Sequence, residues 1–209
     1  MATQCSTSLV QNSANIRRIA VYCSASDGVP QSYNDAAYRL GQIIGEAHIE
    51  LVYGDGGIGL MRHLADGALS VGGKVIGVIP RFMVERGWNN PRSTETIVTE
   101  TMHERKATIV QMVDAMVALP GGVGTMEEMF ECLTWKQLGL HGNPVVILNT
   151  NGFFDPIIAA MDKMLEERFL QPVHRNRMFT VVSTPEEVLP AICSAADWGE
   201  NESSQARTV

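Results

Sequence analysis

The sequence predicts a single doubly wound, Rossmann-like α/β domain in which helices cover both faces of a mostly parallel sheet. Two observations lead to this prediction. Short runs rich in Val and Ile alternate with longer segments of helical period, an order typical of strand–helix–strand crossovers. The predicted strands are almost continuously apolar, which is expected where both faces of a strand are buried. The length of 209 residues suits one domain.

The first half of the chain is predicted to supply four strands and three helices. Each strand is a run of apolar, often β-branched residues, and each helix repeats its apolar residues three and four positions apart. In chain order the elements are strand Arg18–Cys23, helix Ser32–Ala47, strand Glu50–Tyr53, helix Gly59–Val71, strand Lys74–Ile79, the weaker strand Thr96–Glu100 and helix Met102–Met112. The polar stretch Arg81–Glu95 contains Pro91 and an Asn-Asn pair, which indicates a surface loop or an irregular helix.

The second half is predicted by the same criteria to add three strands and three helices. They are strand Ala115–Leu119, helix Thr125–Leu138, strand Val145–Leu148, helix Phe153–Glu167, strand Phe179–Val182 and helix Pro185–Cys193. Polar residues dominate both ends of the chain. The ordered domain is therefore expected to span residues 16–194, between a flexible segment 1–15 and a disordered tail 195–209.

The charge balance and the cysteines exclude several classes of function. A formal net charge of −7 offers no long-range attraction to nucleic acid or to anionic lipid, so neither is expected as a partner. No apolar stretch approaches the ~18 residues that a membrane span needs, and the N-terminus lacks the pattern of a secretory signal. The four cysteines and five histidines are scattered, which favours free thiols in a reducing, cytoplasmic setting and argues against a metal site.

A first glycine loop, Gly54–Gly59, directly follows the predicted strand that ends at Tyr53. It is a literal G-x-G-x-x-G, the pattern of dinucleotide-binding loops. Such sites need an acid about 20 residues further on, at the end of the next strand. That strand ends in Pro80-Arg81 instead, so a dinucleotide is disfavoured. Asp55 would repel a phosphate by about 1–4 kcal/mol at ~4 Å, so either it points away or this loop does not hold the phosphate directly.

A second glycine loop, Gly121–Gly124, joins a predicted strand to a predicted helix. Glycines let the backbone approach a ligand closely, and the free N–H groups at a helix start favour an anion such as phosphate. A tight turn packed on the sheet is the alternative for either loop alone. Two such loops at one sheet edge favour a pocket for a phosphorylated small molecule. Neither loop ends in Gly-Lys-Ser/Thr, so hydrolysis of a nucleoside triphosphate is disfavoured.

Charged residues near these loops each have two interpretations. Thr125 and Glu128 have the spacing of a capping box, in which the Glu128 carboxylate would bond to the helix backbone. Arg105 and Lys106 follow a predicted helix start. They either belong to a solvated helix surface or, because cations oppose the helix dipole at that end, indicate an anionic partner nearby.

The segment Pro120–Glu128 matches the P-G-G-x-G-T-x-x-E signature of the Lonely Guy family. Further blocks resemble family motifs in the family's order, and they are Leu51–Gly54, Gly77–Pro80, Met102–Lys106 and Thr134–Gly139. The resemblance extends from Arg17 to Leu189 and is therefore specific. Members of this family are cytokinin riboside 5′-monophosphate phosphoribohydrolases, long misnamed lysine decarboxylases. Nothing in the sequence marks a pyridoxal-phosphate lysine.

The resemblance implies hydrolysis of the N-glycosidic bond of an N6-modified adenosine 5′-monophosphate, without a cofactor. It also implies a homodimer whose active site lies near the subunit contact. Arg105 and Glu128 would be the catalytic pair, and Glu85 would lie on the base side. The other residues expected at the nucleotide site come from the family blocks and the two glycine loops. They are Gly56, Gly57, Met102, Lys106, Gly121, Gly122, Val123, Gly124, Thr125, Glu127 and Thr134.

This chemistry suits the residue types. Cleavage of a ribose–purine bond passes through an oxocarbenium-like state, which a carboxylate such as that of Glu128 can stabilise while it orients or activates the attacking water. Arginine is a poor proton donor because its guanidinium group stays charged at every working pH. Arg105 is therefore expected to anchor the substrate and to stabilise charge, rather than to donate a proton.

Several positions depart from the family pattern. Family members usually have glycine where this chain has Asp55 and Arg62, and Cys-Gly-Ser-Ser where it has Cys23–Ser26. Val123 stands where an aromatic residue or glycine is common. Two alternatives therefore stay open: the same hydrolysis of AMP or another nucleoside monophosphate, and a non-catalytic carrier or sensor of a phosphorylated ligand. If Asp55 faces the phosphate, Asp55→Gly is expected to tighten nucleotide binding.

Overall fold

The computed structural model describes residues 16–196 and Trp198, and its centre is a parallel sheet of seven strands. The strands are β1 (Arg18–Tyr22), β2 (Glu50–Tyr53), β3 (Val75–Pro80), β4 (Glu95–Thr99), β5 (Ala115–Ala118), β6 (Val145–Leu148) and β7 (Thr180–Val182). They lie in the order β4-β3-β2-β1-β5-β6-β7, and every neighbouring pair is parallel. The chain winds outwards from β1 to β4 and then crosses to the other side of β1, which confirms the predicted doubly wound architecture.

Helices cover both faces of this sheet. They are α1 (Gln31–Glu46), α2 (Gly59–Ser70), α3 (Arg81–Val84), α4 (Met102–Met112), α5 (Val123–Gln137), α6 (Asp155–Glu166), α7 (Pro172–Arg177) and α8 (Val188–Ser194). Two 3₁₀ turns, Thr150–Gly152 and Pro185–Glu187, precede α6 and α8. Within the described part of the chain, no helix is long and apolar enough to cross a membrane.

Side chains alternate across the sheet, so each central strand contributes to two hydrophobic cores. In β1, Ile19 and Val21 face the core beneath α1, α2 and α8, whereas Ala20 and Tyr22 face the core beneath α4, α5 and α6. All four side chains are buried. This burial on both faces explains why the strand shows no alternation of polar and apolar residues.

The observed elements differ from the predicted ones mainly at their ends. The polar stretch Arg81–Glu95 contains the short helix α3, and β4 begins at Glu95, one residue earlier than predicted. Helix α7 was not predicted, because its six residues contain no apolar repeat. The predicted flexible segment 1–15 lies outside the described residues, and so does the predicted disordered tail 195–209 except for residues 195, 196 and 198.

Candidate active site

The carboxyl ends of β1 and β5 mark the point at which the winding of the sheet reverses, and ligands of such sheets bind outside this point. The loops after these two strands border a cavity of about 290 Å³. Apolar side chains from α1, α2 and the turn before α6 complete its wall. The cavity is lined by, among others, Ser24, Tyr33, Leu60, Gly121, Gly122 and Phe153.

The second glycine loop leaves the N-terminus of α5 open beside this cavity. The N-cap residue of α5 is Gly122, which has an extended backbone and no side chain to accept a hydrogen bond from the first turn. Val123 and Gly124 are exposed. A Cβ atom at Gly121 would lie 2.1 Å from Thr125 Oγ1, so only glycine lets the loop pass so close to the helix. The N–H groups of this first turn are therefore available to an anion.

Two other helix N-termini at the same sheet edge already bind side chains. At α4, Thr101 Oγ1 accepts a hydrogen bond from Glu104 N (3.1 Å), and the Glu104 carboxylate accepts one from Glu100 N (2.8 Å). At α2, Asp27 Oδ1 accepts a hydrogen bond from Gly59 N (3.1 Å). A carboxylate at the start of α2 makes the first glycine loop unsuited to a phosphate. Of these three helices, α5 offers the open N-terminus.

The interpretation of Thr125 and Glu128 as a capping box is wrong. Helix α5 begins at Val123, two residues earlier than predicted, so Thr125 lies inside the first turn and not at the N-cap. The physical reason is the extended backbone of Gly122, which allows the helix to begin that early. The Glu128 carboxylate is consequently free of a capping role and binds a side chain of α4 instead.

Arg105 and Glu128 form a buried ion pair, with 2.6 Å between Arg105 Nη1 and Glu128 Oε1. Their side chains are only 5% and 8% exposed. Arg105 Nε also donates a hydrogen bond to the carbonyl oxygen of Val78 in β3 (3.0 Å). Arg105 Nη2 packs against Gly54, where a Cβ atom would lie 2.1 Å away. The backbones of β3 and of the first glycine loop therefore fix the guanidinium plane, and the guanidinium in turn fixes the carboxylate.

Two opposing effects act on the pKa of the Glu128 carboxyl group. Burial raises the pKa of Glu128 above its usual range, and the adjacent Arg105 guanidinium offsets part of that rise. A carboxylate with a raised pKa that remains paired with a cation can carry charge and also accept a proton. Tyr22 lies close by at the end of β1, and burial raises the pKa of its phenol well above the usual value, so Tyr22 stays neutral.

Lys106 makes a second bridge between α4 and α5. Its ammonium group binds the Glu127 carboxylate and, at 2.9 Å, the Glu131 carboxylate. The Lys106 side chain is buried, whereas half of the Glu127 side chain is exposed. Glu127 and Glu131 are four residues apart and therefore lie on one face of α5. Together with the Arg105–Glu128 pair, this bridge fixes the first turn of α4 against α5.

Most of the other residues predicted at the site also lie at this sheet edge. Gly56 and Gly57 follow β2, the exposed Glu85 follows α3, and Met102 opens α4 with an exposed side chain. Thr134 does not join them. It lies six residues beyond Glu128, about 9 Å along the helix, and its exposed hydroxyl donates a hydrogen bond to the Phe130 carbonyl oxygen (2.7 Å).

In the part of the chain that the structure describes, thiols and metal ligands are not gathered at this edge. Cys23 and Cys132 are buried, and burial raises the pKa of both thiols, that of Cys132 to about 12. They therefore remain protonated at neutral pH and are poor nucleophiles. Among residues 16–196 and Trp198, no group of three or more His, Cys, Asp or Glu side chains is placed to hold a metal ion.

Known proteins resemble the chain over most of its length. Residues 61–192 match the family model described as "Possible lysine decarboxylase". A cytokinin riboside 5′-monophosphate phosphoribohydrolase of Oryza sativa subsp. japonica is 42% identical over 176 residues, which cover 84% of this chain and 73% of the relative. One of Arabidopsis thaliana is 41% identical over 172 residues, which cover 82% of this chain and 79% of the relative. The chain belongs to the Lonely Guy family.

The fold of this Lonely Guy protein also occurs among solved structures of lower identity. The molybdenum cofactor binding protein from the phototrophic bacterium Rippkaea orientalis superposes with a TM-score of 0.66, over 86% of this chain and 97% of that one. The two sequences are 23% identical. The match therefore shows a shared α/β architecture.

Three residues of the candidate site were not singled out from the sequence. Val78 binds Arg105 through its carbonyl oxygen, and Gly54 makes room for the guanidinium. Both lie in blocks that resemble family motifs, although the motifs alone assign them no role. Glu131 binds Lys106, and its spacing of four residues from Glu127 is the signal that could have identified it.

Asp55 points away from the open N-terminus of α5. Its fully buried carboxylate accepts hydrogen bonds from Ser93 Oγ (2.5 Å) and Thr96 Oγ1 (3.2 Å), towards β4 and away from β5. Burial raises the pKa of this carboxyl group. Asp55→Gly was expected to tighten nucleotide binding only if the Asp55 carboxylate faces the phosphate. This condition is not met.

Proposed function

We propose that this protein hydrolyses the N-glycosidic bond of an N6-modified adenosine 5′-monophosphate. Water attacks C1′ of the ribose, the bond between C1′ and the purine nitrogen breaks, and the proton released by the water ends on the base. The products are the free base and ribose 5-phosphate. Relatives more than 40% identical to the chain carry the name cytokinin riboside 5′-monophosphate phosphoribohydrolase, which supports this reaction and substrate class.

One observation carries the proposal: the buried Arg105–Glu128 pair lies next to a helix N-terminus that no side chain caps. The N–H groups after Gly122 suit the 5′-phosphate. Glu128 lies five residues after the first residue of α5, about 7.5 Å along the helix axis. A ribose 5-phosphate can span that distance, so a phosphate bound at the helix start brings C1′ close to the Glu128 carboxylate.

Each charged residue has a role that follows from its contacts. The Glu128 carboxylate stabilises the positive charge that develops at C1′ and orients the attacking water. Arg105 favours the ionised form of Glu128 and holds its carboxylate in one orientation, because the guanidinium is bonded to the Val78 carbonyl as well. Lys106 and Glu127 hold α4 against α5 at the nucleotide site, and Glu85 and Met102 approach the base.

We also propose that the protein acts as a homodimer in the cytoplasm. Apolar side chains of Phe82, Trp88 and Met102 are exposed on the elements that border the site, and a second copy would cover them. The buried thiols of Cys23 and Cys132 are compatible with a reducing compartment. Light scattering on the purified protein is expected to give twice the mass of one chain, and the mass of a single chain would contradict the dimer.

The reaction is tested by chromatography. Purified protein is incubated with isopentenyladenosine 5′-monophosphate and separately with AMP, and free base and ribose 5-phosphate are measured. Glu128→Gln keeps the size of the side chain and removes its charge, so kcat is expected to fall by about 10²–10⁴-fold while the nucleotide still binds. Glu166→Gln makes the same change at an exposed residue of α6, and it is expected to behave like the wild type.

The outcomes separate the alternatives. Release of base from the prenylated nucleotide, lost in Glu128→Gln, would support the proposal. Release from AMP alone would assign the same hydrolysis to a simpler nucleotide. Calorimetric binding of both nucleotides without any release of base would contradict hydrolysis and would indicate a carrier or sensor.

A further inference from the structure

The first glycine loop contains a buried carboxyl group that the proposed mechanism does not use. Asp55 is fully buried and has a φ of 59°, a conformation that few residues other than glycine, asparagine and aspartate adopt. A Cβ atom at Gly77 would lie 1.9 Å from Asp55 Oδ1, so the carboxylate occupies the space left by a glycine in β3. A buried carboxylate on an unusual backbone persists only where its surroundings bind it firmly.

A chain of hydrogen bonds runs from Asp55 to the loop before β4. Ser93 Oγ donates to Asp55 Oδ1 (2.5 Å) and lies 2.9 Å from the Tyr53 hydroxyl, which accepts a hydrogen bond from Asn90 Nδ2 (2.9 Å). Ser93 has one hydroxyl proton and donates it to Asp55, and this bond sets the direction of the chain. Ser93 donates to Asp55, Tyr53 donates to Ser93, and each hydroxyl donates once and accepts once.

Backbone contacts hold the same loop, residues 85–93, against the first glycine loop. Asn90 N donates to the Asp55 carbonyl oxygen (2.7 Å), and Gly57 N donates to the Trp88 carbonyl oxygen (3.4 Å). Most other residues of the 85–93 segment are exposed, whereas Asn90 is buried. The network that ends on Asp55 therefore supplies the buried anchor of a segment that otherwise lies at the surface.

We propose that Asp55 is a positioning residue that holds the 85–93 segment, and with it Glu85, beside the base of the bound nucleotide. This inference rests on the proposed function, in which Glu85 approaches the base. The anchor acts on the base half of the ligand, because Asp55 bonds towards β4 whereas the phosphate half meets α5 on the other side of β1.

The test compares two substitutions of Asp55 that are both compatible with its backbone. Glycine adopts a positive φ without strain and removes the carboxylate, whereas asparagine tolerates the same φ and keeps an oxygen that accepts from Ser93. Both are made in the Glu128→Gln background, so that the ligand is not consumed. Calorimetry then measures the Kd of AMP and of ribose 5-phosphate. Ser93→Ala removes the same bond from the other side, and Asp35→Asn on α1 is an exposed control.

Asp55→Gly and Ser93→Ala are expected to weaken AMP binding about tenfold, and to change ribose 5-phosphate binding by less than about twofold because that ligand has no base. For Asp55→Asn, the Kd of AMP is expected to stay within about threefold of the value for the Glu128→Gln parent, since the hydrogen bonds persist. With Glu128 intact, Asp55→Gly is expected to raise the KM of the nucleotide while kcat stays nearly constant. Bound ribose 5-phosphate also reports that the variant is folded.

Three results would overturn the inference. Equal weakening of AMP binding and of ribose 5-phosphate binding would indicate a general disturbance of the site. Tighter AMP binding by Asp55→Gly would indicate repulsion of the phosphate. Equal losses in Asp55→Asn and Asp55→Gly would indicate a role of the charge and not of the hydrogen bonds. Failure of the wild type to release base would reject the proposed function alone, and these binding constants would still decide the role of Asp55.

Discussion

The buried pair of Arg105 and Glu128 makes a quantitative prediction for Arg105→Met. Methionine fills a similar volume without a charge and leaves the Glu128 carboxylate, 8% exposed, without its cation. Removing one partner of a buried ion pair costs about 3–5 kcal/mol, because the other charge remains buried and unpaired. Arg105→Met is therefore expected to lower the free energy of unfolding by an amount in this range at about pH 8.

The loss is expected to depend on pH. Burial already raises the pKa of Glu128, and the loss of Arg105 removes the charge that lowers it, so the pKa rises further. A carboxyl group whose pKa is higher in the folded than in the unfolded state destabilises the fold when it ionises. The difference in free energy of unfolding between wild type and Arg105→Met is thus largest above the folded-state pKa of Glu128, and it shrinks as the pH falls through that pKa. Urea unfolding at several pH values from about 8 to 5 measures this trend.

A double variant provides the control. In Arg105→Met with Glu128→Gln the buried charge is absent, so most of the stability is expected to return and the pH dependence to disappear. Arg105→Met could instead lower the free energy of unfolding by the same amount at every pH, with no recovery when Glu128→Gln is added. That result would show that Arg105 acts through packing alone. Such a result would refute the assignment of Glu128 as a carboxylate held in the ionised state by Arg105.

Two further predictions concern single residues. Gly121→Ala is expected to lower the free energy of unfolding by about 1–3 kcal/mol, because the added Cβ atom would lie 2.1 Å from Thr125 Oγ1. At Gly124 an added Cβ atom meets nothing within 4 Å, so Gly124→Ala is expected to be at least as stable as the wild type. Urea titration measures both variants. Burial lowers the pKa of Lys136 to about 8. Lys136→Met removes this charge and also the hydrogen bond that Lys136 Nζ donates to the Asn143 carbonyl oxygen (2.9 Å), so it is expected to raise the free energy of unfolding at neutral pH by less than about 3 kcal/mol. That gain in free energy of unfolding should shrink as the pH rises from about 8 towards 10.5, the usual pKa of lysine. A gain that is independent of pH would contradict the lowered pKa of Lys136.

Local patterns were sufficient to predict the strands and the long helices. The strands are continuous apolar runs because both faces of the sheet are covered, and this burial is visible in the composition of each run. Helix α7 carries no apolar repeat, so its pattern gave no signal. The start of α5 was misplaced because Thr125 and Glu128 have capping-box spacing, whereas the backbone of Gly122 and the attraction of Arg105 decide the outcome.

The candidate site was predictable where its residues are contiguous and unpredictable where they are not. The second glycine loop and Glu128 lie in one signature, so a resemblance could identify them together. The pairing of Lys106 with Glu131 and the bond from Arg105 to the Val78 carbonyl join distant parts of the chain. Asp55 could equally have faced a ligand or the interior, and no neighbour in sequence indicates Ser93, 38 residues away, as its partner.

The sequence by itself determined the order of strands and helices, because hydrophobic period and turn residues act over a few positions. It also determined which residue types are present at the carboxyl ends of the strands. Only the tertiary structure decided which of these charges meet. Arg105 and Glu128 are 23 residues apart and pair because the strand order brings the start of α4 to α5. The burial that raises the pKa of Glu128 arises only when the packed helices exclude water from the pair.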